Sequence, residues 1–334
     1  MSDERRKQIR KERMAQDLAA VPREPGAVKP DAVIVADGIQ RRFGGLVAVD
    51  VDHLELQRGA ITALIGPNGA GKTTLFNLLT GFDKPDSGTW SFDGRPLDRV
   101  SAARVARAGM VRTFQLTKAL ARMTVLDNMR LAAAHPRGEN MLVALVPPLW
   151  RAKEAEITDR AEELLARFRL DHMRDELAGN LSGGQRKLLE MARALMADPT
   201  VVMLDEPMAG VNPALTQSLL GHIQDLREAG TTVVFVEHDM HMVRHVSDWV
   251  VVMAQGRVAA EGPPETIMED QAVVDAYLGA HHDTDLGDDA LLADDVFAEL
   301  EAEVAAEVDA ESTGDDAGGS HGAALAAEAR GGRS

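Results

Sequence analysis

The chain has 334 residues, no cysteine and a formal net charge of −17, and it is long enough to bury a substantial core. Without cysteine it can form no disulfide, thiolate metal site or thiol nucleophile, which fits a reducing compartment. The acidity is local: residues 281–334 carry 15 acids against 2 basic residues, residues 1–30 carry 5 against 8, and the stretch between gives no support for nucleic-acid binding.

Residues 1–30 begin with a charged run that lacks the apolar region of a signal peptide, and they end in Pro22, Pro25, Gly26 and Pro30. They read as a charged, flexible arm that can hold a short helix, its basic residues a solvated face or a contact for anionic lipid. From 31 to 280, apolar strands alternate with helical patterns, which predicts an α/β core. Ile61–Ile65 reads as a buried parallel strand. It runs into Gly66-Pro67-Asn68-Gly69-Ala70-Gly71-Lys72-Thr73, and a helix follows from Thr74. Glycines in such a loop let backbone N–H groups converge on phosphate oxygens, and the helix N-terminus adds the positive end of its dipole. Lys72 is expected to reach the β- and γ-phosphates and the Thr73 hydroxyl to ligand Mg²⁺, so a nucleotide with Mg²⁺ is the expected ligand.

Further along stands Arg112-Thr113-Phe114-Gln115, where a lone Gln after a strand is ordinarily a surface residue. Met141–Trp150 is apolar but contains Pro147-Pro148 and falls far short of the roughly 20 residues of a spanning helix. The chain is therefore read as soluble and cytoplasmic, with any membrane role coming through partners. Leu181-Ser182-Gly183-Gly184-Gln185 precedes Val201–Leu204, a strand ending in Asp205-Glu206. There Asp205 can hold Mg²⁺ through water, and Glu206 is placed to polarise the attacking water as a general base. Val233–Glu237 is a second such strand, closed by His238. His238, His241 and His245 share a helical spacing, but without an acidic or thiolate fourth ligand they are not read as a metal site. In the tail, Leu292, Val296, Leu300, Val304 and Val308 recur every four residues in an acidic stretch that otherwise reads as disordered. They form either a marginal solvated helix or a docking stripe.

Phosphate loop, Gln115, Leu181–Gln185, Asp205-Glu206 and His238 stand in the order found in ATP-binding cassette (ABC) ATPases. The chain resembles that family over residues 31–280, as a single cassette without internal repeat. The resemblance implies a RecA-like core, an antiparallel β subdomain and a helical signature subdomain at about 116–195, with 281–334 as an acidic tail. It implies that His238 contacts the γ-phosphate and orients Glu206, and that Gln115 senses Mg²⁺ and the water at the hinge toward a transmembrane partner. It also implies that Phe43 stacks on adenine. Ser182, Gly183, Gly184 and Gln185 are implied to bind the γ-phosphate held by an opposing subunit, so two cassettes close head to tail on two ATP. Asn212 departs from the family's usual Asp, which leaves that cross-dimer contact open. Phe43–Val49, Arg112–Gln115, Glu237-His238-Asp239-Met240 and Ala276–Gly279 resemble the branched-chain amino-acid importer ATPases, and residues 136–152 resemble an insertion of that group. The expected function is therefore the energy-coupling ATPase of an amino-acid importer, held at the cytoplasmic face of the membrane by permease subunits and served by an extracytoplasmic binding protein. A urea-type or lipopolysaccharide transporter is the near alternative, and a soluble cassette without transport the remote one.

Overall fold

The computed structural model describes residues 3–97, 99–113, 120–133, 148–211, 213–267 and 273. The chain divides into one compact unit, Met1–His281, and a second, His282–Ser334, which lies outside the described residues together with its expected apolar stripe.

Two sheets organise the first unit. The larger has six strands: β6 (Met110–Arg112), β7 (Val201–Asp205), β8 (Thr232–Val236), β3 (Ile61–Ile65) and β9 (Trp249–Ala254) lie side by side in parallel. The sixth, β10 (Arg257–Gly262), pairs antiparallel with β9 at the edge. Central strands β3, β7 and β8 are buried at every position, which explains sequences that are apolar apart from Thr62, Thr232 and the terminal Asp205: a parallel sheet covered on both faces has no polar side. Alternate residues serve different cores. Ile61, Ala63, Val202, Leu204, Val233 and Phe235 face one, while Leu64, Val201, Met203, Val234 and Val236 face the other. This is the period-two geometry of a strand.

The first core is closed by helices, among them α4 (Val125–Leu131), α5 (Pro148–Arg167), α6 (Gly183–Leu195) and α7 (Pro213–Ala229). The second is closed by α2 (Lys72–Leu79) and by an antiparallel sheet. That sheet comprises β1 (Ala32–Phe43), β2 (Leu46–Gln57), β4 (Ser87–Phe92) and β5 (Arg95–Pro96), in the order β2-β1-β4-β5. The expected α/β core, antiparallel subdomain and helical subdomain are all present. The insertion at 136–152 falls mostly outside the described residues, with only the start of α5 inside them.

The N-terminal segment differs from its sequence expectation. Residues Asp3–Ala19 form α1, a 17-residue helix. Met14 and Leu18 on it, then Val21 and Ala27, are buried in the second core. Lys29 follows with its side chain wholly enclosed. Its ammonium lies 2.7 Å from Glu261 Oε2 and 4.7 Å from the centre of the Trp249 ring. The same carboxylate accepts from the Ala27 N–H and the Trp249 indole N–H, each at 2.8 Å. A buried charge is tolerated where it is paired and hydrogen-bonded, and these three donors supply both conditions.

Candidate nucleotide site

The loop between β3 and α2 is held by close backbone approach. Gly66 has φ 144°, and a Cβ there would lie 2.1 Å from the Met253 carbonyl oxygen on β9. Gly71, the left-handed N-cap of α2 at φ 96°, would bring a Cβ to 2.3 Å from the Ala48 carbonyl oxygen. Only glycine fits either position. Lys72 opens the helix with its ammonium 2.5 Å from the Gly66 carbonyl oxygen and 2.9 Å from that of Pro67. Burial holds its pKa below the ordinary lysine value, opposed by the negative charges of Glu206 and Asp205. The loop thus brings the Lys72 ammonium to the first turn of α2, whose N–H groups and neighbouring cation suit a polyphosphate, with the charges of Glu206 and Asp205 acting on that cation. Asn68, Gly69 and Thr73 are exposed at its rim, and Pro67 and Thr74 are part-buried beside them.

Asp205 ends β7 almost fully buried. Its Oδ2 lies 2.5 Å from Arg112 Nη2, and the same guanidinium donates from Nη1 to Asn77 Oδ1 on α2 at 2.5 Å. Arg112 also lies over the Phe76 and Phe82 rings at 5.7 and 5.8 Å. The acid expected to hold the metal is therefore fixed from behind by a cation that also grips the phosphate-loop helix. A carboxylate at a strand end, the Thr73 hydroxyl and Lys72 form an oxygen-rich, cation-balanced set that fits a magnesium–nucleotide complex.

Glu206 follows with φ 46°, in the left-handed region that glutamate seldom adopts. Its N–H donates to the Val236 carbonyl at 3.1 Å, tying the ends of β7 and β8 together. A small cleft is lined by Thr113, Lys187, Asp205 and Glu206. His238, just past β8, presents an imidazole that is 70 % exposed, with Nδ1 3.7 Å from Glu237 Oε2.

Ser182 caps α6 in a reciprocal capping box. Its Oγ accepts from the Gln185 N–H at 3.2 Å, and Gln185 Oε1 accepts from the Ser182 N–H at 2.9 Å. Ser182 and Gly183 are exposed, Gly184 and Gln185 part-buried, and a Cβ on Gly183 would meet nothing within 4 Å. Phe43 is 49 % exposed at the end of β1, with the Arg41 guanidinium 4.8 Å from its ring centre. It is thus a surface aromatic, the kind of residue on which a base can stack. Gln115 and Asn212 lie outside the described residues.

Fold and site together define a phosphate-loop ATP-binding cassette. The sequence matches the ABC transporter family over residues 49–209 and the C-terminal family described as branched-chain amino acid ATP-binding cassette transporter over residues 257–283. The LivG branched-chain amino acid transport ATP-binding protein of Salmonella typhimurium is 42% identical over 250 residues, 74% of this chain and 98% of that protein. A probable LivG of Archaeoglobus fulgidus is 41% identical over 248 residues, 74% and 96% of the two chains. A crystal structure of the ADP conformation of an ATP-binding cassette of an ABC transporter is 37% identical with a TM-score of 0.65, covering 74% of this chain and 99% of the other. The chain therefore belongs to the ABC transporter ATP-binding proteins, in the branched-chain amino-acid group, and is an ATPase. Membership implies a second cassette and permease partners. Among the described residues no helix is long and apolar enough to cross a membrane.

Several residues that shape the site were not singled out from sequence. Asn77 and Lys187 fall at unremarkable helix positions. Arg112 was visible only as a neighbour of Gln115, and Glu237 only as a neighbour of His238. The signal available for Lys187 was a cation set among the apolar positions of an amphipathic helix, just before the buried Leu188 and Leu189.

Proposed function

We propose that the chain is the energy-coupling subunit of an importer of branched-chain or chemically similar amino acids. Two copies, or this chain and a related cassette, close head to tail over two ATP on the cytoplasmic face of the membrane. Permease subunits hold them there, and an extracytoplasmic binding protein delivers the cargo. The observation that carries the reading is a glycine-built loop opening on Lys72, in the same cassette as the Asp205-Glu206 strand end and an exposed, capped turn at Ser182-Gly183. The names of the relatives support the cargo.

In this reading the loop N–H groups of residues 66–74 and the Lys72 ammonium hold the β- and γ-phosphates, while Phe43 offers a ring to adenine. Thr73, Asp205 and Gln115 would hold Mg²⁺, which neutralises phosphate charge when bound. Glu206 accepts a proton from the water whose oxygen bonds to the γ-phosphorus as the β–γ bridge breaks, giving ADP and phosphate. His238 steadies the γ-phosphate and Glu206. Ser182, Gly183, Gly184 and Gln185 close on the other cassette's nucleotide, and loss of the γ-phosphate contacts lets the pair separate.

Glu206→Gln tests the base. Turnover of the permease-assembled complex is expected to fall by about 10²–10⁴-fold, with ATP still bound and an ATP-trapped dimer seen by light scattering. Near-normal turnover would remove Glu206 from that role. Uptake of labelled leucine by vesicles holding the complex tests the cargo; uptake of urea alone would move the chain to the neighbouring transporter type.

A further inference from the structure

Glu206 opens the turn that follows β7. The turn closes on itself through Ala209 N–H to the Glu206 carbonyl at 3.2 Å and Val211 N–H to the Met208 carbonyl at 3.1 Å. Two charged side chains grip it from opposite elements. Lys187, on α6, directs its ammonium to the carbonyl oxygens of Glu206 at 3.4 Å, of Pro207 at 3.1 Å and of Ala209. Three acceptors match the three N–H donors of an ammonium. Glu237, the residue after β8 and 1 % exposed, accepts from the Met208 N–H at 3.0 Å and from the His238 N–H at 3.3 Å. Burial pushes the Lys187 pKa down, opposed by the negative charge of Glu237, and burial pushes the Glu237 pKa up, opposed by its hydrogen bonds from Met208 and His238. Glu190, one turn along α6, and Glu206 also act on Lys187.

A glutamate in the left-handed region persists only where its surroundings over-determine it. Here one cation fixes the carbonyls and one anion fixes an amide between them. Lys187 stands two residues beyond Gln185 on the helix that Ser182 caps. We propose that Lys187 and Glu237 are positioning residues for Glu206: together they hold the turn 206–211 so that the base stands at the phosphate loop, on the same rigid helix that presents Ser182 to the partner cassette. The inference rests on the reading of Glu206 as the base.

The test uses the full chain with its permease partners. Lys187→Met keeps the length and removes the charge. It should leave the affinity for a fluorescent ATP analogue and the KM within about twofold, while lowering kcat at least about tenfold. Amide exchange over 206–211 should rise at least about tenfold, with 61–79 unchanged. Lys187→Arg, which restores a cation, should recover most of kcat. Glu237→Gln should fall between them, since its amide oxygen still accepts from Met208. Wild-type kcat or unchanged exchange in Lys187→Met overturns the proposal; should that variant not fold, the same readouts on Glu237→Gln decide. An active Glu206→Gln would remove the underlying reading instead, whereas an inactive Glu206→Gln beside a fully active Lys187→Met sinks only this inference.

Discussion

The phosphate loop and the signature segment are both glycine-containing turns into a helix, yet they are built for different surroundings. At Gly66 and Gly71 the chain's own carbonyls, from Met253 and Ala48, stand where a side chain would be. At Gly183 nothing of this chain comes within 4 Å of that position, and Ser182 beside it is exposed. One glycine set answers to the interior of the cassette. Gly183 instead opens a helix whose capping box satisfies the local backbone, and its outer face is bare, whereas its neighbour Gly184 answers to the interior, since a Cβ there would run into Leu215.

Three substitutions can break or sharpen that contrast. The largest effect is expected for Gly66→Ala, which drives a methyl into a backbone oxygen and requires the buried β3 or β9 to move. Destabilisation above about 4 kcal/mol, or failure to fold, should appear in urea unfolding; a stable variant would show that the ends of β3 and β9 yield easily. Next comes Arg112→Met, which strips the buried Asp205 of its cation and frees Asn77. Breaking a buried pair from one side typically costs about 3–5 kcal/mol, measured the same way, and a loss below about 1 kcal/mol would place Asp205 under weaker constraint. Smallest should be Gly183→Ala, within about 0.5 kcal/mol of the parent in unfolding. Its turnover should nevertheless fall at least about tenfold, since the new methyl points where the partner's phosphate would lie. Equal losses of stability at Gly66 and Gly183 would erase the distinction.

What was legible in sequence follows the same division between local and distant. Ile61–Thr73, Ser182–Gln185 and Val201–Glu206 announce themselves because each motif's chemistry lies within a few neighbouring residues. The clamp on Asp205 comes from a guanidinium 93 residues earlier, and the turn carrying Glu206 is gripped from α6 and β8. No window of sequence contains those pairs. The N-terminal segment was obscured differently. Its charges outnumber its apolar residues, and Met14, Leu18 and Val21 make only a thin stripe, yet that stripe is the part that packs.

The buried contact of Lys29 with Glu261 gives the cassette a boundary of another kind. The strands alone would start the domain at the first residue of β1. Electrostatics starts it earlier, because a polypeptide begun at residue 31 would retain Glu261 and the Trp249 indole in the interior with no cation to neutralise the carboxylate. The last strand of the large sheet thus depends on a residue that precedes the first strand of the small one. In charge terms, the two ends of the cassette form one sealed joint.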